Sequence, residues 1–86
     1  MKKKILIVED NVGLSQMQKD WFSQAGYEAV TAMNEPIARS LIRKTQFDLI
    51  LSDVRLPEGD GISLLEWLRK EKKDIPFIIT TEYVSV

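Results

Sequence analysis

Neither cysteine nor histidine occurs among the 86 residues. Without cysteine there are no disulfides and no thiolate metal ligands, so a stapled scaffold is excluded and the redox compartment is left open. Without histidine the chain has no imidazole general base and no histidine-based metal or phosphate chemistry of its own. Glycine and proline are scarce, at 4 and 3, which does not fit a fibrous repeat. Excess charge of one sign is lacking too. Twelve Lys and Arg stand against 13 Asp and Glu, a net charge of -1, so no overall field draws the chain onto nucleic acid or an anionic membrane, and partners must be recognised locally. The apolar run Ile5 to Val8, preceded by Lys2, Lys3 and Lys4, meets Glu9 at once and is too short for a signal peptide's apolar region. The expected address is the cytoplasm, and the lysines read as a solvated lead-in to a strand.

What is present fits a soluble domain with a packed core: 44% of residues are hydrophobic and 29% charged. The length allows one small domain with a modest core. Ile5 to Val8 reads as a strand buried on both faces. Leu14, Met17, Trp21, Phe22 and Ala25 recur at helical spacing before Gly26, predicting a helix from about Val12 to Ala25. Trp21 and Phe22 are expected in the core. Tyr27, Ala29 and Val30 give a second strand. Asn34 suits an N-cap, with Pro36 in the first turn and Ile37, Ala38, Leu41 and Ile42 on one face of a helix ending near Lys44. Phe47, Leu49, Ile50 and Leu51 form a third strand that stops at Ser52 and Asp53, followed by a loop from Val54 to Gly59. Asp60 caps a third helix with a predicted buried stripe of Ile62, Leu65 and Leu68, flanked by Leu64, and with Lys70, Lys72 and Lys73 at its negative end. Trp67 is expected to be partly buried against a neighbouring loop. Pro76 opens a fourth strand, Phe77 to Thr80. Strands alternating with helices predict an α/β fold with a parallel sheet covered on both faces. Ligands of such sheets bind beyond the carboxyl ends of the strands.

Glu9 and Asp10 fall at the end of the first strand and Asp53 at the end of the third. If these strands are neighbours, three carboxylates converge, and like charges so gathered call for a cation. Carboxylate oxygens suit Mg2+, and a carboxylate such as Asp53 can serve as a nucleophile toward phosphorus while the metal offsets the charge on the transferring group. The plainer alternative, solvated loop residues and helix caps, stays open on these residues alone.

The stretches KILIVEDN at 4–11, DLILSDVRLPEGDGISLLEWLR at 48–69 and IPFIITTEY at 75–83 resemble the receiver domains of two-component response regulators. The resemblance implies a flavodoxin-like three-layer fold with parallel strand order 2-1-3-4, the family's fifth strand and last helices having no counterpart here, so that residues 1–86 form one incomplete receiver domain. It makes Asp53 the phosphoacceptor, Asp10 a direct Mg2+ ligand, Glu9 a ligand directly or through water, and Arg55 the donor of a backbone carbonyl to the metal. Thr81 matches the switch hydroxyl that hydrogen-bonds the phosphoryl group, and Thr80 a strand residue. Pro57 and Gly61 match positions that hold backbone geometry beside the acceptor. The implied partner is a sensor histidine kinase, whose surface would be the first helix near Val12 to Gln18. The implied role is that of a phosphoacceptor with self-catalysed phosphotransfer and dephosphorylation rather than an enzyme. LPEGDG is similar to regulators that control transcription.

Two departures bear on activity. Glu82 follows Thr81 where the family keeps a small residue, and no residue matches the family's phosphoryl-binding lysine or its switch aromatic. A second reading therefore accompanies the first: a truncated or degenerate receiver that acts only as a binding module, self-associating as a homodimer or swapped oligomer through the exposed edge of the fourth strand. A haloacid-dehalogenase-like phosphatase would want an aspartate where Arg55 stands. Flavin binding would want backbone donors where Glu9 and Asp10 offer negative charge. The run from Arg69 to Lys73 reads as a solvated helix terminus, with no direct contact to nucleic acid or membrane.

Overall fold

A computed structural model describes residues 2–80. Four parallel strands, β1 (Lys4–Val8), β2 (Glu28–Ala32), β3 (Leu49–Asp53) and β4 (Phe77–Thr80), lie in the order β2-β1-β3-β4. They alternate in sequence with α1 (Val12–Gln24), α2 (Glu35–Lys44) and α3 (Gly61–Lys70). The α/β architecture and the strand order are those predicted.

Burial along β1 explains its central place: Ile5, Leu6, Ile7 and Val8 are all fully buried. Alternate residues of a strand point to opposite faces, and the core divides accordingly. Leu6, Val8, Ala32 and Ile50 pack with Ala38 and Ile42 of α2 and with Leu64 and Leu68 of α3. Ile5, Ile7, Ala29 and Leu51 form the other cluster, with Phe22 of α1 and Tyr27 against it. The sheet is thus the middle of three layers.

The helix ends follow their capping chemistry. Asn11, Asn34 and Asp60 each accept a hydrogen bond from a backbone N–H in the first turn, of Leu14, Ile37 and Ser63. Helix α1 closes with paired bonds from the Gly26 N–H to the Ser23 carbonyl and from the Tyr27 N–H to the Phe22 carbonyl. The Tyr27 ring meets Phe22 edge-on at 5.7 Å. At the end of α3 the equivalent bonds run from Lys72 to Arg69 and from Lys73 to Leu68. Here the left-handed position is held by Lys72, with φ 58°.

Four expectations are corrected. Helix α1 has no buried residue, and Trp21 is 60% exposed, so only Phe22 of the expected aromatic pair joins the core, as a partly buried neighbour of it. The buried stripe of α3 is Gly61, Leu64 and Leu68, while Ile62 is 46% exposed. Positions 61, 64 and 68 follow the i, i+3, i+7 face of a helix, which a strict three-residue spacing drifts away from. Phe47 is buried but precedes β3, which begins at Leu49. Trp67 is partly buried as expected, but the neighbours over its ring come from α2, the guanidinium groups of Arg39 and Arg43 at 5.1 and 5.2 Å.

Candidate functional site

The register of β1 and β3 decides the site. Val8 pairs with Ser52, so Glu9 and Asp53 come next on adjacent strands at the carboxyl edge of the sheet. Glu9 extends the β1 ladder by donating its N–H to the Ala32 carbonyl at 2.9 Å, and its Oε2 accepts from the Asn11 N–H at 3.0 Å. Asp10 is exposed, and Asn11 rather than Asp10 caps α1. Glu9, Asp10 and Asp53 each offer a carboxylate oxygen within 4.8 Å of the others, with Glu9 4% and Asp53 6% exposed. Two strand ends have brought two nearly buried carboxylates and an exposed one to a single point.

This donor set fits a hard divalent cation. Mg2+ holds oxygen at about 2.0–2.1 Å, so two of its ligands stand at most about 4.2 Å apart. A mutual separation within 4.8 Å puts all three oxygens in reach of one ion, directly or through its bound water. No nitrogen or sulfur donor takes part, as oxygen-preferring ions require.

The surroundings of Asp53 are held by backbone. Its Oδ1 accepts from the Arg55 N–H at 3.4 Å, and its carbonyl accepts from the Ser52 hydroxyl at 2.9 Å. The Val54 N–H donates to the Thr80 carbonyl and the Gly61 N–H to the Val54 carbonyl, both at 3.0 Å. A Cβ at position 61 would lie 2.5 Å from the Asp53 carbonyl oxygen, so glycine lets α3 start against the end of β3. Arg55 forms an antiparallel bridge with Asp60, closing the β3–α3 loop on itself. Thr80 ends β4 opposite Asp53; Thr81 and Glu82 lie outside the described residues.

Sequence reasoning missed Glu35. It is 4% exposed, accepts from the Asp60 N–H at 3.0 Å and forms an ion pair with Arg39. An acid in the first turn of α2 suits the helix dipole on its own; only the contact to Asp60, 25 residues away, makes it part of the loop beside Asp53. A groove of about 1000 Å³ lined by Lys4, Phe47, Lys73 and Pro76 lies at the amino ends of the strands, away from the carboxylates. Among the described residues no helix is long and apolar enough to cross a membrane.

Comparison with known proteins agrees with this geometry. The family described as response regulator receiver domain matches residues 5–86. The polar-differentiation response regulator DivK of Brucella anthropi is 36% identical over 85 residues, covering 96% of this chain and 69% of its own. The non-phosphorylated HemR receiver domain from Leptospira biflexa superposes with a TM-score of 0.88 at 38% identity, over 99% of this chain and 68% of that one. The response regulator TrrA from Thermotoga maritima, solved in complex with Mg2+ and BeF, gives a TM-score of 0.89 at 32% identity over 94% of this chain and 70% of that one.

Proposed function

Because the chain belongs to the response-regulator receiver domain family, we propose that it works in two-component signal transduction as an Mg2+-dependent phosphoacceptor whose modified residue is Asp53. The observation that carries this reading is the convergence of Glu9, Asp10 and Asp53 within 4.8 Å at the carboxyl edge of the sheet. The Mg2+–BeF complex of TrrA supports the choice of cation. Glu9 and Asp10 would hold the ion together with Asp53 and the backbone carbonyl of Arg55. When bound, the ion offsets negative charge on the transferring phosphoryl group and its acceptor.

The chemistry of the chain's own residues is short. A carboxylate oxygen of Asp53 attacks the phosphorus of a phosphohistidine on a sensor kinase; the new O–P bond replaces the P–N bond, and the imidazole leaves with a proton from solvent. Water later attacks the same phosphorus, releasing phosphate and restoring Asp53. Thr81 supplies the hydroxyl that engages the phosphoryl group, and the first helix near Val12 to Gln18 meets the kinase. The chain is thus a signalling phosphoacceptor rather than an enzyme with a substrate of its own, cytoplasmic, and tied to transcription through an output partner.

Intact mass spectrometry after incubation with acetyl phosphate and Mg2+ tests the reading. We expect one added phosphoryl group on the wild type, none on Asp53→Asn and none with EDTA. Equal modification of wild type and Asp53→Asn would remove Asp53 from its role. A second reading rests on β4, where Ile78 is 50% and Ile79 37% exposed: the strand serves as a self-association edge. Light scattering across a concentration series checks it, and a monomer at every concentration would exclude it.

A further inference from the structure

Glu35 is a buried charged residue that the phosphoacceptor chemistry does not use. Both carboxylate oxygens are engaged. Oε1 accepts from the Asp60 N–H at 3.0 Å, and Oε2 accepts from Nε of Arg39 at 2.8 Å and pairs with its Nη2. The backbone N–H of Glu35 donates to the Glu58 carbonyl at 3.2 Å. One residue at the start of α2 therefore grips the β3–α3 loop at positions 58 and 60. Between them Gly59 has φ +85°, and a Cβ there would stand 2.0 Å from the Glu35 Oε1. The loop and the carboxylate fit only because no side chain separates them. Arg39 is held in turn by Trp67, whose ring it covers, so the grip is braced from α3.

The other side of Asp60 leads to the acceptor. Asp60 bridges Arg55, and the Arg55 N–H reaches Asp53 Oδ1 at 3.4 Å. Complementing the helix dipole requires no partner outside the helix; Glu35 is buried and bonded across 25 residues.

We propose that Glu35 is a positioning residue for the cation site: by fixing Asp60 it fixes the Arg55–Asp60 bridge, and with it the backbone of Arg55 beside Asp53. The inference rests on the reading of Asp53 as an Mg2+-dependent acceptor. Groups that orient metal ligands from behind commonly change affinity by about 10–100-fold when lost.

Isothermal titration with MgCl2 tests it on four proteins, each held below its unfolding midpoint. Against wild type, Glu35→Ala is expected to bind Mg2+ about 10-fold more weakly. Glu35→Gln retains an acceptor for the Asp60 N–H and is expected to recover most of that loss. Ile42→Val, which thins the core without touching the loop, keeps the wild-type affinity. Unchanged affinity in Glu35→Ala overturns the proposal, as does an equal loss in Ile42→Val, which would mark a general effect of stability. No Mg2+ binding by wild type would instead be the failure of the underlying functional reading.

Discussion

Replacing Gly61 by alanine sets two physical effects against each other. Gly61 opens α3, and alanine is favoured over glycine in a helix interior by about 1 kcal/mol. Propensity alone thus predicts a more stable protein. Sterics predict the reverse. The added Cβ would lie 2.5 Å from the Asp53 carbonyl oxygen and 3.1 Å from Oγ of Ser52, about 0.9 Å short of ordinary contact with the first. Neither obstacle is a flexible side-chain tip: one is backbone of a central strand, and Ser52 is fully buried and bonded to that same carbonyl. Overpacking of this kind costs about 1–3 kcal/mol. First-turn propensity is worth less than the interior value, so sterics win. We expect a net loss of about 1.5 kcal/mol, an unfolding midpoint about 6–12 °C lower for a domain of this size. Thermal denaturation followed by far-UV circular dichroism measures it. Gly13→Ala is the control, because its Cβ meets only Asn11 Oδ1 at 3.5 Å; there propensity acts without opposition and the midpoint rises. A Gly61→Ala protein at or above the wild-type midpoint would refute the claim that α3 is seated against the Asp53 carbonyl.

Five further outcomes follow from the packing and the site. Leu68→Ala, at a fully buried position, is expected to lose about 2–5 kcal/mol in urea denaturation. Ile62→Ala, 46% exposed, should change stability by only about 0.5 kcal/mol, and equal losses would restore the three-residue stripe. Lys72→Gly relieves a left-handed residue at φ 58° and should raise stability by about 1 kcal/mol, read from the thermal midpoint. MgCl2 at ten times its dissociation constant should stabilise the wild type by about 1.4 kcal/mol. Asp10→Asn should respond less at the same concentration in a thermal shift measurement, and an identical response would place the ion away from Asp10.

Some of this was legible in the chain itself. The unbroken run Ile5 to Val8 made β1 a strand buried on both faces, and Asn34 and Asp60 marked two helix starts, because both signals depend on neighbours within a few residues. The candidate carboxylates were legible as strand ends, and their convergence followed once β1 and β3 were taken to be adjacent. Ala38, Ile42 and Leu68 were legible as buried helix positions, but tertiary structure decided several others. Trp21 carries the apolar character and spacing of a core residue, yet the sheet surface reaches Phe22 and not its neighbour. Leu64 rather than Ile62 is buried on α3, whose first residue, Gly61, lies close against the Asp53 carbonyl. Glu35 reads locally as an ordinary helix-start acid, and its hold on Asp60 exists only after α2 and the β3–α3 loop are brought together. Periodicity and capping are short-range and written in order along the chain, whereas burial and the contacts of a charged side chain belong to the packed whole.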